Sequence, residues 1–261
     1  MPDSSIIYLV INLPSAKDRR DAMLAQSERF GVDMQIISAI SGNDLPPDDS
    51  TTGYDRAARE RYYTKHLIPN EVACVMSHRK ALKTFLDSPA EYAVIMEDDA
   101  LLAEHFNEGI RELTEKPREW EVAKLFTDDG KLYPLCAKIE GAVVQPVFPK
   151  KLPWIAVGYL YTRHAAEILY NDLQRFWLPA DAQIGHILLT RGIPTIGVSP
   201  GLIHSSDPLN LHSTLDAEGL RYAPCPPRSL SQCLAYRLSV IRTSFRKAHM
   251  RKMMRARINH R

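Results

Sequence analysis

Tyr92-Ala93-Val94-Ile95-Met96-Glu97-Asp98-Asp99 is an apolar run of strand length that ends in three consecutive carboxylates. Such a run suits a buried strand of a parallel sheet. Its carboxyl end then opens into the crevice where α/β sheets bind ligands. Adjacent carboxylates repel one another, and partial burial adds to the penalty for keeping them ionised. A divalent cation removes both penalties, and an all-oxygen ligand set favours Mg²⁺ or Mn²⁺. The same acids also suit a solvated turn at a helix N-terminus, where negative charge is favoured.

The flanking sequence alternates strand and helix signals. Residues 6–11 read as a first strand. Ser15-Ala-Lys-Asp18 resembles a capping box that opens a helix to about residue 30, and 34–37 form a second strand. Gly, Asp, Pro, Ser and Thr dominate 41–55, which predicts a mobile loop. Asn70 is the expected cap of a helix over 71–86, because Val72, Val75, Met76, Leu82 and Leu86 share a face. Glu71, Cys74 and His78 line one edge of that stripe. After the acidic run, a helix over 101–114 and a strand over 122–126 continue the pattern. Beyond Asp128-Asp-Gly130 the order becomes mixed: strands over 142–148 and 155–162, helices over 163–173 and 182–189, then a strand over 193–198 leading to Ile203-His204. The stretch 205–227 reads as loop. The expected class is α/β, with a mixed but mostly parallel central sheet.

At 261 residues, one α/β domain with an extension is expected. Apolar and charged fractions of 45% and 25% are ordinary for a globular protein. No apolar run approaches the length of a membrane span, and the N-terminus lacks a signal-peptide pattern. Cys74, Cys136, Cys225 and Cys233 show no metal-ligand spacing, so reduced thiols in a cytosolic protein are expected.

Charge divides the chain more sharply than hydropathy does. Residues 1–218 carry 22 Lys and Arg against all 31 acids, whereas 219–261 carry 11 Lys and Arg and no acid. The expected organisation is therefore a domain over 1–218 and a basic, amphipathic, helical extension over 219–261. Within a helix over 229–258, Leu230, Leu234, Leu238, Ile241, Phe245 and Ala248 recur at spacings of three or four, with Arg237, Arg251 and Arg255 elsewhere on the wheel. An anionic membrane surface suits such a helix, each basic residue contributing about 1 kcal/mol. Docking of the apolar face on the acidic body is the second reading. Specific nucleic-acid binding is not expected, since no nucleic-acid motif accompanies the charge.

Several segments together resemble glycosyltransferase family 25, the lipooligosaccharide and lipopolysaccharide sugar transferases. They are Ile11-Asn12-Leu13-Pro14-Ser15 with Arg19-Arg20, Ala39-Ile40-Ser41-Gly42, Asn70-Glu71-Val-Ala-Cys74-Val-Met-Ser77-His78, and Val94-Ile95-Met96-Glu97-Asp98-Asp99. A weaker match is Gly158-Tyr159 through Leu169, followed by Pro179-Ala180-Asp181. The family usually has Leu where Met96 stands. These segments run in family order over residues 6–205.

The resemblance implies a GT-A-like nucleotide-sugar-binding fold and an inverting transfer of a hexose to a lipooligosaccharide or lipopolysaccharide acceptor. The implied donor is a UDP-sugar, with UDP-galactose first choice, and Mn²⁺ or Mg²⁺ assists as a Lewis acid. Asp98 and Asp99 are the expected metal ligands, Asp99 also counting as catalytic, with His204 as a third ligand. Glu97 supports them or reaches the donor ribose or sugar. Arg19 and Arg20 suit the diphosphate, although a solvated helix face explains at least one of them. Asn12, Leu13 and Ala39 lie where loops contact the base and ribose. Asp181 is the first choice for the general base, and it equally suits a helix cap. His78 suits a phosphate contact or a satisfied core position, Glu71 an arginine pair or a cap, and Trp177 an acceptor-sugar stack or the core. An enzyme acting at the cytosolic face of a bacterial membrane follows. The rival readings are a metal-dependent phosphoryl-transfer enzyme or phosphohydrolase, and an inactive membrane-associated scaffold of the same family.

Overall fold

A computed structural model describes residues 5–46, 51–115, 119–126, 132–149, 156–206 and 229–259. The Asp128-Asp-Gly130 turn, the boundary at 218 and nearly all of the expected loop over 205–227 lie outside the described residues, as do 47–50 of the expected loop over 41–55.

The elements follow in the order β1 (Ile6–Asn12), α1 (Lys17–Phe30), β2 (Met34–Ser38), α2 (Arg56–Tyr62), α3 (Pro69–Asp87), β3 (Tyr92–Glu97), β4 (Ala100–Leu102) and α4 (Phe106–Glu115). Then come β5 (Val122–Lys124), β6 (Leu132–Pro134), β7 (Gln145–Pro149), β8 (Gly158–Thr162), α5 (Arg163–Asp172), α6 (Ala180–Arg191), β9 (Thr195–Ser199), β10 (Ile203–Ser205) and α7 (Leu230–Asn259). Eight strands form one sheet in the order β2-β1-β3-β8-β5-β9-β7-β6. Six of them point the same way and only β8 and β7 are reversed, so the sheet is mixed and mostly parallel as the alternating signals predict. Tyr92 through Met96 are all buried, which requires cover on both sheet faces and explains the unbroken apolar run.

Three boundaries shift, and one helix goes unannounced. No capping box forms over Ser15–Asp18; α1 begins after Ala16 without a side-chain cap. The turn is instead closed by the Ala16 N–H on the Leu13 carbonyl (2.8 Å) and by the Asn12 amide on the Ala16 carbonyl (3.0 Å). Helix α3 opens at Pro69, where a missing N–H does no harm. Glu71 caps it by accepting the Ile68 N–H at 3.0 Å, while the expected cap, Asn70, accepts from Gly42 N–H. Residues 101–102 are strand, not helix, because they pair with β10. The short helix α2 went unsignalled within the polar stretch that follows residue 51.

Arg163, in the weakest of the family segments, holds the end of α3. Its guanidinium donates to the carbonyls of Ser88 (2.8 Å), Ala90 (2.9 Å) and Leu86 (2.6 Å), and lies 5.4 Å from the Phe85 ring centroid. A cation on helix-terminal carbonyls is favoured by the dipole, and the planar fork serves several acceptors at once. Arg163→Ala is expected to lower unfolding free energy by about 2–4 kcal/mol, with Lys restoring only part of it. Urea denaturation checks this, and a loss under about 1 kcal/mol would refute the clamp.

The long C-terminal helix forms as expected, but a different face is docked. Met250 and Met254 are buried in the core that includes the sheet. Arg251 lies 4.3 Å over the Tyr133 ring, Arg255 donates to the Pro134 carbonyl at 3.0 Å, and Asn259 donates to the Leu135 carbonyl at 3.0 Å.

Candidate active site

The strands that share a direction bring their carboxyl ends to one edge of the sheet, and Asn12, Ser38, Glu97, Lys124 and Ser199 end β1, β2, β3, β5 and β9 there. Behind this edge, the Ala39–Gly42 turn is tied to α3. Ser77 Oγ accepts the Ile40 N–H at 2.8 Å, and Asn70 accepts from Gly42 at 3.2 Å. A Cβ on Gly42 would lie 2.1 Å from Asn70 Oδ1, so the close approach requires glycine. The Ala39 N–H bonds the Asn12 carbonyl at 2.8 Å, which sets Ala39 beside the end of β1.

The three carboxylates have different surroundings. Glu97 Oε1 lies 3.0 Å from Nε2 of the buried His78 and 4.0 Å from Cys74 Sγ. Asp98 is engaged through both oxygens, by Asn12 Nδ2 at 2.7 Å and by an Arg19 guanidinium nitrogen at 3.1 Å. Asp99 Oδ2 accepts from Ser205 Oγ at 3.0 Å, whereas its Oδ1 is buried without a hydrogen-bond partner. Burial, then the charges of Glu97 and Asp98, push the Asp99 carboxyl above its ordinary range, and the Ser205 bond only partly offsets this. A buried anionic oxygen with no donor is where a hard cation fits. The site therefore suits a divalent ion at Asp99, while Asp98 serves first to orient Asn12 and Arg19.

His204, the expected third ligand, makes no contact with the carboxylates among the described residues. His204 pairs with Leu101 on an exposed face of the small β4–β10 ribbon, and it is the adjacent Ser205 that bonds Asp99. Among the described residues, Asp98, Asp99 and His204 do not gather their ligand atoms; the three that do, within 4.8 Å, are Cys74, His78 and Glu97. Burial pushes the Cys74 thiol well up, and the charges of Glu97, Asp181 and Glu71 push it further, so the thiolate that a soft metal prefers is disfavoured. This inner group holds Glu97 in place.

Asp181 enters the same neighbourhood from the first turn of α6. It is half-buried, and its Oδ1 accepts the Ala182 N–H at 2.6 Å. Its pKa is raised from 3.8 to about 6, chiefly by desolvation and then by Glu97, against the lowering effects of the Ala182 bond, Lys124 and His78. The N-cap of α6 is Pro179, so Asp181 lies inside the helix and is not its cap. A carboxyl raised toward neutral pH, and within electrostatic reach of Lys124 and His78, suits a general base.

Arg20 is not brought to this edge; it ion-pairs with its neighbour Asp21 at 3.0 Å. Leu13 is half-buried in the turn after β1. Trp177 is half-buried edge-to-face with His186, ring centroids 5.1 Å apart, and its carbonyl accepts from Arg59. Sequence reasoning missed two groups. Lys124 is buried at the end of β5, opposite Tyr159, and a cation closing an otherwise apolar strand was the available signal. Ser205 carried no signal, since a serine in a polar loop is unremarkable until a strand pairs it with Ala100, next to the acidic run.

The model of "Glycosyltransferase family 25 (LPS biosynthesis protein)" matches residues 6–184. Human procollagen galactosyltransferase 2 is 27% identical over 124 residues, which cover 43% of this chain and 19% of that protein. The mouse protein of the same name is 28% identical over 113 residues, 41% of this chain and 17% of the relative. Less than a fifth of these relatives is thus spanned. The lacto-N-neotetraose biosynthesis glycosyltransferase LgtE of Neisseria meningitidis serogroup B is 26% identical over 233 residues, 80% of this chain and 79% of that one. Among solved structures, a Drosophila β1,4-galactosyltransferase 7 in complex with manganese, UDP-Gal and xylobiose aligns with a TM-score of 0.41 and 12% identity, covering 89% of this chain and 79% of the other.

Proposed function

The chain belongs to glycosyltransferase family 25, and from that premise we propose that it is an inverting hexosyltransferase with Asp181 as its base. The proposed donor is UDP-galactose and the proposed acceptor a lipooligosaccharide or lipopolysaccharide saccharide at the cytosolic face of a bacterial membrane. The observation that carries the reading is the carboxylate edge itself, where Asp99 Oδ1 is buried without a donor beside the Asp98–Arg19 and Glu97–His78 pairs; the raised Asp181 carboxyl, coupled electrostatically to Glu97, supports it. In the transfer, Asp181 accepts the proton of the acceptor hydroxyl as that oxygen bonds the anomeric carbon. The bond from that carbon to the diphosphate breaks, and its electron pair leaves with the diphosphate. Arg19 and Lys124 provide positive charge at the same edge for the leaving group. His78 fixes Glu97 for hydrogen bonding to donor hydroxyls. A divalent ion held through Asp99 would supply Lewis-acid neutralisation of the diphosphate. The turns carrying Asn12, Leu13 and Ala39 are left to bind the base and ribose.

Incubation with Mn²⁺ and a panel of UDP-, GDP- and CMP-sugars, with and without a lipooligosaccharide acceptor, tests this. UDP release that depends on acceptor and metal is expected with one UDP-sugar. Transfer that proceeds at full rate in EDTA would overturn the metal role, and no transfer from any UDP-sugar would overturn the donor class. The base also sets a pH limb. Asp181 is active only when ionised, so kcat should fall about tenfold per pH unit below about pH 6, with a one-proton slope. A flat profile down to about pH 5 would exclude this group as the base.

A further inference from the structure

Helix α7 carries two apolar faces, and only one is used by the fold. Met250 and Met254 face the body and are buried. At 3.6 residues per turn, Leu230, Leu234, Leu238, Ile241 and Phe245 fall on the opposite side. They are 91%, 59%, 43%, 51% and 72% exposed, a ridge of large apolar side chains about four turns long. Arg237 flanks the ridge on one side and Arg242 and Arg246 on the other, all exposed. Residues 219–261 contain 11 Lys and Arg and no acid.

We propose that this ridge is a docking surface for an anionic lipid bilayer, with α7 lying in the plane of the interface and anchoring the catalytic body to it. A protein partner or a second copy would meet the apolar ridge as well, but the flanking charge selects the occupant. Cations without a single acid along the whole extension complement a uniformly anionic plane, whereas interfaces between proteins intersperse both signs. A second copy would also set the two basic flanks against each other. No helix among the described residues is long and apolar enough to cross a membrane, so the geometry is that of a surface helix. Docking through Met250, Met254, Arg251 and Asn259 ties the end of the helix to the body, with the ridge on the opposite side. The inference is independent of which sugar is transferred, because none of these residues belongs to the carboxylate edge.

The test is co-sedimentation of the full chain with vesicles of phosphatidylcholine alone or with about one third phosphatidylglycerol, at low and high salt. Binding to the anionic vesicles, reversed by salt, is expected. Replacing Arg237, Arg242 and Arg246 together by Gln should weaken it about a hundredfold, at roughly fivefold per arginine. Replacing Leu234, Leu238, Ile241 and Phe245 together by Gln should abolish it. Both variants should keep the wild-type melting temperature, since the altered side chains are exposed. Equal binding to both vesicle types, or binding indifferent to either variant, would overturn the proposal. So would a dimer in analytical ultracentrifugation that the Leu-to-Gln variant dissolves, seen without vesicle binding.

Discussion

Asp181→Asn will lower kcat by about 10²–10⁴-fold and at the same time make the protein more stable. The loss follows from the role: the amide keeps the oxygen that accepts the Ala182 N–H but cannot take a proton from the acceptor. The gain follows from linkage. Asp181 ionises near its ordinary 3.8 when unfolded and at about 6 when folded, so the native state binds the extra proton between those values. Stability from this group is therefore lost as pH rises through that window and stays lost above it. At pH 7–8 the ionised wild type carries a penalty of about 3 kcal/mol that the amide does not. The variant should melt several degrees higher at pH 8, and the difference should vanish below about pH 4. Thermal scans at both pH values, paired with turnover, separate the roles. A variant that is inactive but no more stable at pH 8 would mean that Asp181 is not the strained, desolvated base described above.

Asp99→Asn should remove the metal response. In the wild type, Asp99 Oδ1 is buried with no donor, and the carboxyl is pushed up by burial and by Glu97 and Asp98. A divalent ion relieves all three, so Mn²⁺ should raise the melting temperature, by about 2.7 kcal/mol of stabilisation at a hundredfold excess over Kd. The amide retains the Ser205 contact but offers no charge, so the Mn²⁺-induced shift should disappear and kcat/KM should drop by about 10³. Without metal, the variant should match or exceed wild-type stability, because a repulsive carboxylate has been neutralised. Asp98→Asn is the contrast: its oxygens already serve Asn12 and Arg19, so the metal shift should survive in part while substrate affinity falls. An unchanged Mn²⁺ shift in Asp99→Asn would locate the ion elsewhere, with the Cys74, His78 and Glu97 group as the next place to look.

Legibility in the sequence followed the range of the interaction. The apolar run from Tyr92, the helical stripe over α3 and the turn residues between them are patterns of a few residues, and each element they announced is present. Two of the boundaries that moved did so where a distant partner intervened. Leu101 and Leu102 read as the start of a helix until β10 pairs with them, and Asn70 read as a cap until Gly42 takes its side chain. In the candidate site, Glu97, Asp98, Asp99, His78 and Asp181 were all visible as residues, but their division of labour was not. Asp98 and Asp99 are adjacent in the chain and equivalent in any pattern, yet one is satisfied and the other orphaned.

By itself the sequence determined the α/β class, the family segments and their order, the acidic body and the acid-free extension, because periodicity, turn chemistry and charge are local or additive. Tertiary structure alone decided which carboxylate is left open, that Ser205 bonds it, that the charges of Lys124 and His78 act on Asp181, and which side of α7 is docked. The Asn12–Asp98 and Asp99–Ser205 bonds join residues 86 and 106 positions apart. Contacts at that range are set by strand order and register, and a one-residue slip in register turns each side chain to the other face.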